Sequence, residues 1–475
     1  MIRLNFSNII LLILIIIGFF IIFFSGRAEE YLALQSKIIL LFSSVLCFFP
    51  IIMYIFKQEY LDFIPLIPLT CLYFLTCYIS LFFSLFFFGH EITIGEYKLS
   101  EYTKALEVFF IGIVSFFVGF ILAMICFKKI VRKEIKILSF NIFEVFFFGV
   151  FLMLNVIVFY YIIEIQKQIH ALSQIKYPLL MFGNGLLVKY FIFCENKKKN
   201  LFKLILISLL ILIPIYLELI DGSYAFPFIM IFLMCVFYIY LKKKIVIFPF
   251  ILIALVFIFI HAGKYTYRTI TWKHNANFTK TNLSKEFFKT YKQLLFNKNE
   301  LNSFENKNKQ TIQRFFHSAE SLLIVSKLTP QIVPYWEGYS YKILLTKLIP
   351  RIFWKNKPSD RLGNEFGHRY KRLSVEDNST SWNMPVLNEF YVNFGKMGVL
   401  FGMLMLGFLF GLITKIFSIS NKLNVESTIS FYIFVPLFFL ESHLSLLFGA
   451  VVQSYIFLML ISFIFIFLYR KLITL

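Results

Sequence analysis

Charged residues are scarce in this chain, and acidic residues are scarcer than basic ones. Asp, Glu, Lys and Arg together make up 15% of the 475 residues, against about 25% in ordinary soluble domains. Hydrophobic residues make up 59%, and the mean hydropathy is +0.78. This composition excludes an ordinary soluble domain and is typical of a polytopic membrane protein.

The sequence also lacks the short motifs that are typical of nucleotide or metal chemistry. It contains no P-loop, no GxGxxG and no His/Cys cluster with metal-ligand spacing. All six cysteines lie in apolar runs, so neither a disulfide framework nor a thiolate metal site is predicted. The first loop holds Glu29 and Glu30 but no DxD-type pair, which argues against a metal-dependent lipid-sugar glycosyltransferase. We therefore expect no cofactor and no metal.

Twelve apolar runs have the length of a membrane helix. They cover residues 8–25, 38–56, 63–88, 105–127, 141–164, 177–194, 203–220, 224–241, 245–262, 397–417, 428–441 and 451–469. The first run lacks a small-residue cleavage site, so we expect a retained helix rather than a signal peptide. The sequence predicts an all-α polytopic membrane protein with about 12 transmembrane helices. Helices 1–9 fall in residues 1–262, a large extracytoplasmic loop in 263–396, and helices 10–12 in 397–475.

Lys and Arg are distributed unevenly between the loops. With the N-terminus in the cytoplasm, 18 of them fall in cytoplasmic segments and 6 in the short outer loops. By the positive-inside rule, this split predicts that both termini are cytoplasmic and that the long loop lies outside the cell (inner) membrane. Most of the net charge of +21 then reflects topology and contact with anionic lipid. The basic clusters are short and scattered, so no nucleic-acid partner is expected.

The long loop contains all four tryptophans and carries 22 Lys and Arg against 10 Asp and Glu. This surplus either is neutral or marks an anionic substrate, and both readings remain open. Apolar spacing predicts amphipathic helices over TIQRFFHSAESLLIVSKL and YKILLTKLIPRIFW, the second of which is broken at Pro350. MPVLNEFYVNFGKMG predicts a helix that enters the tenth span, with Glu389 and Asn393 on one face. That span carries Gly398–Gly402 and Gly407–Gly411, two small-xxx-small pairs suited to close helix packing.

Two strings of this loop resemble a known family. PYWEGYSYKILLTKLIPRIFWKNKP and LNEFYVNFGKMGVLFGMLMLGFLFG resemble the carboxy-terminal half of the Wzy-type oligosaccharide repeat-unit polymerases (O-antigen polymerases), as does the layout of about twelve spans with one long outer loop. The specific match covers residues 335–411. Two family features are absent: Tyr224 follows Gly222-Ser223 where many relatives have arginine, and Leu362 stands where an R-x10-G motif starting at Arg351 requires glycine.

The resemblance implies an enzyme, a glycosyltransferase of polysaccharide biosynthesis. Such a polymerase joins polyprenyl-pyrophosphate-linked (undecaprenyl pyrophosphate) oligosaccharides into O-antigen or a related lipopolysaccharide or capsule chain at the outer face of the cytoplasmic membrane. Its expected partners are these lipid-linked oligosaccharides, membrane lipid and a chain-length regulator protein. An O-antigen ligase-like glycan transferase and a lipid-linked sugar flippase or transporter are the alternatives. A flippase predicts polar residues through the middle of several spans, which the sequence lacks.

The chemistry of a pyrophosphate leaving group selects the candidate site residues. Guanidinium groups bind phosphate oxygens bidentately and offset developing negative charge. The candidate pyrophosphate-binding residues are the loop arginines Arg268, Arg351, Arg361, Arg369 and Arg372. The incoming sugar hydroxyl needs a proton acceptor, and the catalytic candidates are Glu389 and His368. The residues predicted to contact sugar or the membrane interface are Trp272, Trp354, Trp382 and Asn393; for the tryptophans, stacking and anchoring both remain open.

Overall fold

The computed structural model describes residues 34–57, 63–88, 97–127, 140–162, 173–194, 201–246, 248–273, 280–296, 316–347, 349, 354, 356–357, 360–378, 380–417, 425–449 and 451–474. Within these ranges the secondary structure is helical and contains no strand. The all-α fold class is therefore confirmed.

Seventeen α-helices, labelled in chain order, cover most of the described residues. The first nine are α1 Leu34–Phe56, α2 Leu66–Phe74, α3 Ser80–Phe88, α4 Leu99–Cys126, α5 Ile142–Val156, α6 Ser173–Cys194, α7 Leu201–Ile220, α8 Ala225–Lys242 and α9 Phe248–Lys273. The others are α10 Lys280–Phe296, α11 His317–Leu328, α12 Tyr339–Thr346, α13 Leu362–Arg369, α14 Val386–Ile416, α15 Val425–Phe434, α16 Leu444–Gly449 and α17 Val451–Thr474. Short π-helical turns follow α2 and α5, and a 3-10 turn follows α15.

Eight helical segments are long and apolar enough to cross a membrane. They are Leu34–Phe56, Leu66–Leu85, Leu99–Cys126, Ile142–Ile162, Leu201–Ile220, Ala225–Lys242, Val386–Ile416 and Leu444–Leu472. Phe248–His261 and Val425–Phe438 are apolar but shorter. The predicted span at 8–25 lies outside the described residues. The protein is thus membrane-embedded, and the count of twelve spans stays a prediction.

The described residues divide into two compact units. The first comprises the described parts of residues 1–133, 313–419 and 434–453, and the second those of residues 134–312, 420–433 and 454–475. The predicted boundary between residues 262 and 263 falls inside α9, which continues to Lys273. The part of the predicted loop before residue 313 belongs to the second unit, and the part after it to the first.

In the first unit, α4 and α14 pack at backbone distance because glycines face the partner helix. A Cβ atom at Gly119 would lie 1.9 Å from the carbonyl oxygen of Leu404, and one at Gly407 would lie 1.9 Å from that of Phe116. The Gly407–Gly411 pair therefore serves close packing between helices. The Gly398–Gly402 pair instead faces Phe390 of the same helix.

The helix predicted to enter the tenth span begins at Val386 as expected, but it is broken. Phe394 has φ −142° and ψ 20°, and Gly395 has φ 61° and ψ −147°. Two loop residues donate hydrogen bonds to the end of the part of α14 that precedes this break: Trp336 N donates to Val392 O at 3.0 Å, and Gly338 N donates to Asn393 Oδ1 at 2.9 Å. Residues 386–393 thus form a short helix of their own before the apolar segment.

The first predicted amphipathic helix is observed as α11, but it is buried on every side rather than exposed along one face. All residues from 318 to 326 are buried. Its Ser318 is hydrogen-bonded inside the first unit, since the hydroxyls of Ser318 and Tyr73 are 2.9 Å apart and Asn388 Nδ2 donates to Ser318 O at 3.2 Å. The second predicted helix is observed in part as α12, and its predicted break at Pro350 lies outside the described residues.

The second unit contains a buried ion pair. Lys176 Nζ lies 2.5 Å from Glu218 Oε1, and Tyr161 OH donates to the same oxygen at 2.9 Å. At the turn between α7 and α8, Arg268 donates from Nε and Nη2 to Gly222 O at 3.0 and 2.6 Å. These contacts satisfy charges that would otherwise be costly to bury.

Candidate functional site

Glu389, a predicted catalytic residue, lies in the first turn of α14 and its side chain is fully buried. Its Oε2 accepts a hydrogen bond from the backbone N–H of Leu444 at 2.7 Å. Its Oε1 is also buried, and the Ser340 hydroxyl interacts with this carboxyl group.

Asn393 lies one turn after Glu389, on the same side of the short helix, as the four-residue spacing predicts. Its Nδ2 donates to Glu389 O at 2.8 Å and to Ser340 Oγ at 2.9 Å. Because its Oδ1 accepts from Gly338 N, both ends of the amide are engaged. Asn393 therefore fixes the loop against the short helix, and a direct contact with sugar stays a prediction.

A second set of polar side chains surrounds Asp360. The Ser445 hydroxyl donates to Asp360 Oδ2 at 2.7 Å, and Lys347 Nζ lies 3.0 Å from the same oxygen. His443 Nδ1 lies 2.8 Å from Ser445 Oγ, and its Nε2 lies 3.7 Å from Asp360 Oδ1. With Glu389, which binds the backbone between His443 and Ser445, these four residues form what we call the polar cluster.

The hydrogen-bond geometry assigns the protons of the cluster. Ser445 has a single hydroxyl proton, which it donates to Asp360. Nδ1 of His443 must then be the donor in its contact with Ser445, which leaves Nε2 as the basic nitrogen of the neutral ring.

The charge states of Asp360 and His443 follow from their surroundings. Burial lowers the pKa of the His443 ring below its ordinary value; Asp360 opposes this shift and Lys347 adds to it. Burial acts to raise the pKa of the Asp360 carboxyl, but His443, Ser445 and Lys347 together hold that pKa below its ordinary value. At neutral pH the carboxylate is therefore ionised and the ring is neutral, ready to accept a proton.

An apolar groove with a volume of about 980 Å³ adjoins the cluster. Its walls come from α12, α14 and α16, through residues that include Tyr341, Phe390, Met405, Leu444 and Phe448. The lining atoms are almost all apolar. Leu444 belongs to both features, because it is one of the residues that line the groove and its N–H binds Glu389.

The other catalytic candidate, His368, lies elsewhere in the loop. Its Nε2 is 3.0 Å from Asp377 O, in a hairpin where Asn364 Nδ2 also donates to Asp377 O at 2.9 Å. This contact is local, and no described contact joins His368 to the polar cluster.

The predicted arginines in the described ranges differ in their contacts. Arg268 belongs to the second unit and bonds to Gly222 O. Arg369 donates to Pro334 O at 2.9 Å and lies 5.4 Å from the Trp336 ring centre, and Arg372 lies 5.7 Å from that of Trp382. Arg361 is exposed at the start of α13. Arg351 lies outside the described residues, so a joint pyrophosphate site stays a prediction.

The tryptophans are placed differently from one another. Trp382 stacks on Phe366, with ring centres 5.0 Å apart and an angle of 16°, so one face of this indole is covered by protein. Trp354 is partly exposed, and the side chain of Trp272 lies outside the described residues. The choice between sugar stacking and interfacial anchoring stays open for these tryptophans.

Four members of the polar cluster were not predicted from the sequence: Lys347, Asp360, His443 and Ser445. A signal was present for two of them. His443 and Ser445 interrupt the apolar stretch FVPLFFLESHLSLLFGAVV, and polar or ionisable residues inside such stretches are functional candidates by default. Asp360 and Lys347 are indistinguishable in sequence from the many polar residues of the loop.

Comparison with known proteins identifies a family for this chain but no activity. No curated protein and no solved structure matches the chain. A family model described as "Domain of unknown function (DUF8712)" matches residues 73–473, a range that includes the whole polar cluster and the groove. Because the match covers most of the 475 residues, the chain belongs to this family.

Proposed function

We propose that the protein is a glycosyltransferase of the cell membrane that polymerises polyprenyl-pyrophosphate-linked oligosaccharide repeat units into O-antigen or a related surface polysaccharide. One feature supports this activity most directly: an apolar groove and a buried polar cluster meet at Leu444. A site that is apolar on one side and polar on the other suits an amphiphile. A lipid-linked sugar has this chemistry, with its lipid in the groove and its head at the cluster.

The polar cluster offers the groups that transfer of a glycan requires. The hydroxyl of the incoming unit must lose a proton, and the pyrophosphate that leaves the growing chain gains negative charge. Glu389 and His443 are proton acceptors, and Lys347 is a cation that can offset part of the new charge. The basic surplus of the long loop supports attraction of the same anionic head group.

Deletion of the gene separates this activity from its alternatives. Loss of a polymerase leaves single capped repeat units on the surface, whereas loss of a ligase leaves long chains on the lipid carrier and loss of a flippase leaves units trapped inside. We expect the first pattern on glycan gels. We also expect purified wild-type protein in liposomes to convert lipid-linked units into a ladder. A full-length surface ladder in the deletion strain would refute the proposal.

The proposed orientation has both termini in the cytoplasm of the cell and the long loop outside. It rests on the 18-to-6 distribution of basic residues. Reporter fusions at Lys243 and Lys422 should report a cytoplasmic location, and fusions near Asn302 and Asn378 an external one. A cytoplasmic signal at Asn302 would contradict both the orientation and an outer-face reaction.

A further inference from the structure

We infer that His443 is the catalytic residue that accepts the proton of the incoming sugar hydroxyl, and that Glu389, the base predicted from the sequence, is a positioning residue. This inference rests on the proposed function. The geometry that points to it is the chain of contacts from Asp360 through Ser445 to His443.

His443 is oriented as a general base requires. Its Nδ1 is bound to Ser445 Oγ, and Ser445 is in turn bound to Asp360 Oδ2, so the ring cannot turn without breaking the chain. Nε2 makes no hydrogen bond to a described residue, and Asp360 Oδ1 lies 3.7 Å from it. A carboxylate at this distance stabilises the imidazolium that forms when Nε2 takes a proton.

Glu389 acts on the same segment through the backbone. Its Oε2 holds the N–H of Leu444, the residue between His443 and Ser445. Glu389 itself is anchored at the start of α14, where Asn393 binds its carbonyl group. The carboxyl therefore sets where the segment 443–445 lies relative to the short helix, and it can do so without gaining or losing a proton.

The proposed step balances without a co-reactant. The hydroxyl proton of the acceptor sugar passes to Nε2 of His443, and the hydroxyl oxygen forms a bond to the anomeric carbon of the growing chain. The bond between that carbon and the pyrophosphate oxygen breaks, and its electron pair leaves with the polyprenyl pyrophosphate. The imidazolium then returns its proton to water.

Two substitutions at Glu389 distinguish positioning from proton transfer. Gln can still accept the Leu444 N–H but cannot act as a base at neutral pH, whereas Ala can do neither. We expect Glu389→Gln to keep polymerisation in liposomes within about tenfold of wild type and Glu389→Ala to lose much more. We expect His443→Gln to lose on the order of 100-fold or more in kcat with little change in KM, because the general base is gone. His261→Gln, in the second unit, is the matched histidine control.

The pH profile gives a readout that a merely structural role would not change. Wild-type kcat should fall towards acidic pH as His443 takes up a proton, and the residual rate of His443→Gln should lack this fall. The charged groups that face the ring are Asp360 and Lys347, and Glu389 lies on the adjoining helix.

If His443→Gln folds poorly, Ser445→Ala tests the same inference. Loss of the hydrogen bond that orients the His443 ring should lower kcat about tenfold at unchanged KM.

The outcomes separate the inference from the proposed function. If wild-type protein makes no polymer, the proposed function fails and the inference fails with it. If wild-type protein is active and His443→Gln, or a well-folded Ser445→Ala, keeps wild-type kcat and pH profile, only the inference fails. If Glu389→Gln is as inactive as Glu389→Ala while His443→Gln is active, Glu389 is the base.

Discussion

Substitution of Gly407 by valine is expected to prevent α4 and α14 from packing and to reduce the amount of folded protein sharply. A Cβ atom at this position would lie 1.9 Å from Phe116 O, and a backbone carbonyl cannot rotate away as a side chain can. The helices would have to separate, which costs about 3 kcal/mol or more and removes the contact over the length of the pair. The measurement is membrane abundance together with the thermal midpoint in detergent.

The reciprocal substitution tests the same contact from the other helix. Gly119→Val on α4 should behave like Gly407→Val, because its Cβ would lie 1.9 Å from Leu404 O. Leu122→Val is the matched control, since Leu122 is exposed on the same helix and should tolerate the change. A Gly407→Val protein with wild-type abundance and thermal midpoint would contradict the close approach of α4 and α14.

Replacement of Lys347 by methionine is expected to destabilise the first unit and to abolish polymerisation. The side chain of Asp360 is 8% exposed and that of Lys347 is 20% exposed, so the substitution leaves a mostly buried carboxylate without its cation. Removal of one partner of a buried pair costs about 3–5 kcal/mol; partial exposure of Lys347 should reduce this to about 2 kcal/mol. Methionine keeps the length of the stem that packs against Gly449.

The double variant Lys347→Met/Asp360→Asn separates stability from activity. Removal of both charges should restore much of the thermal midpoint, because no unpaired charge remains and Asn can still accept from Ser445. Polymerisation should stay low, since Asn cannot stabilise an imidazolium at His443. If the two single losses in stability simply add in the double variant, the residues are not coupled and the ion pair does not hold the cluster.

Local patterns predicted part of the site. The helical spacing of Glu389 and Asn393, and the start of their helix near Val386, follow from contacts within one or two turns. The break at Gly395 was missed because its cause is distant: Trp336 and Gly338 bind the end of the short helix from the loop. Spacing within one segment carries no information about such contacts.

The polar cluster could not be assembled from the sequence for the same reason. Ser445 and Asp360 are 85 positions apart, and Leu444 and Glu389 are 55 apart. Their positive charge made the loop arginines candidates for pyrophosphate binding. Arg369 and Arg372 lie over tryptophan rings, and charge alone does not predict this placement. The burial of α11 was missed for the same reason. The hydroxyl of its Ser318 is hydrogen-bonded to that of Tyr73, which belongs to a helix far away in the sequence.

The break in α14 couples the preceding loop mechanically to the apolar part of this helix. The loop backbone at Trp336 and Gly338 is bonded to residues 392 and 393, just before Gly395, whose positive φ of 61° favours glycine. Under the proposed function, the pull of a long polymer on this loop would reach the apolar segment through these hydrogen bonds. The load would then be carried at Gly407 and Gly411, where that segment packs closely on α4.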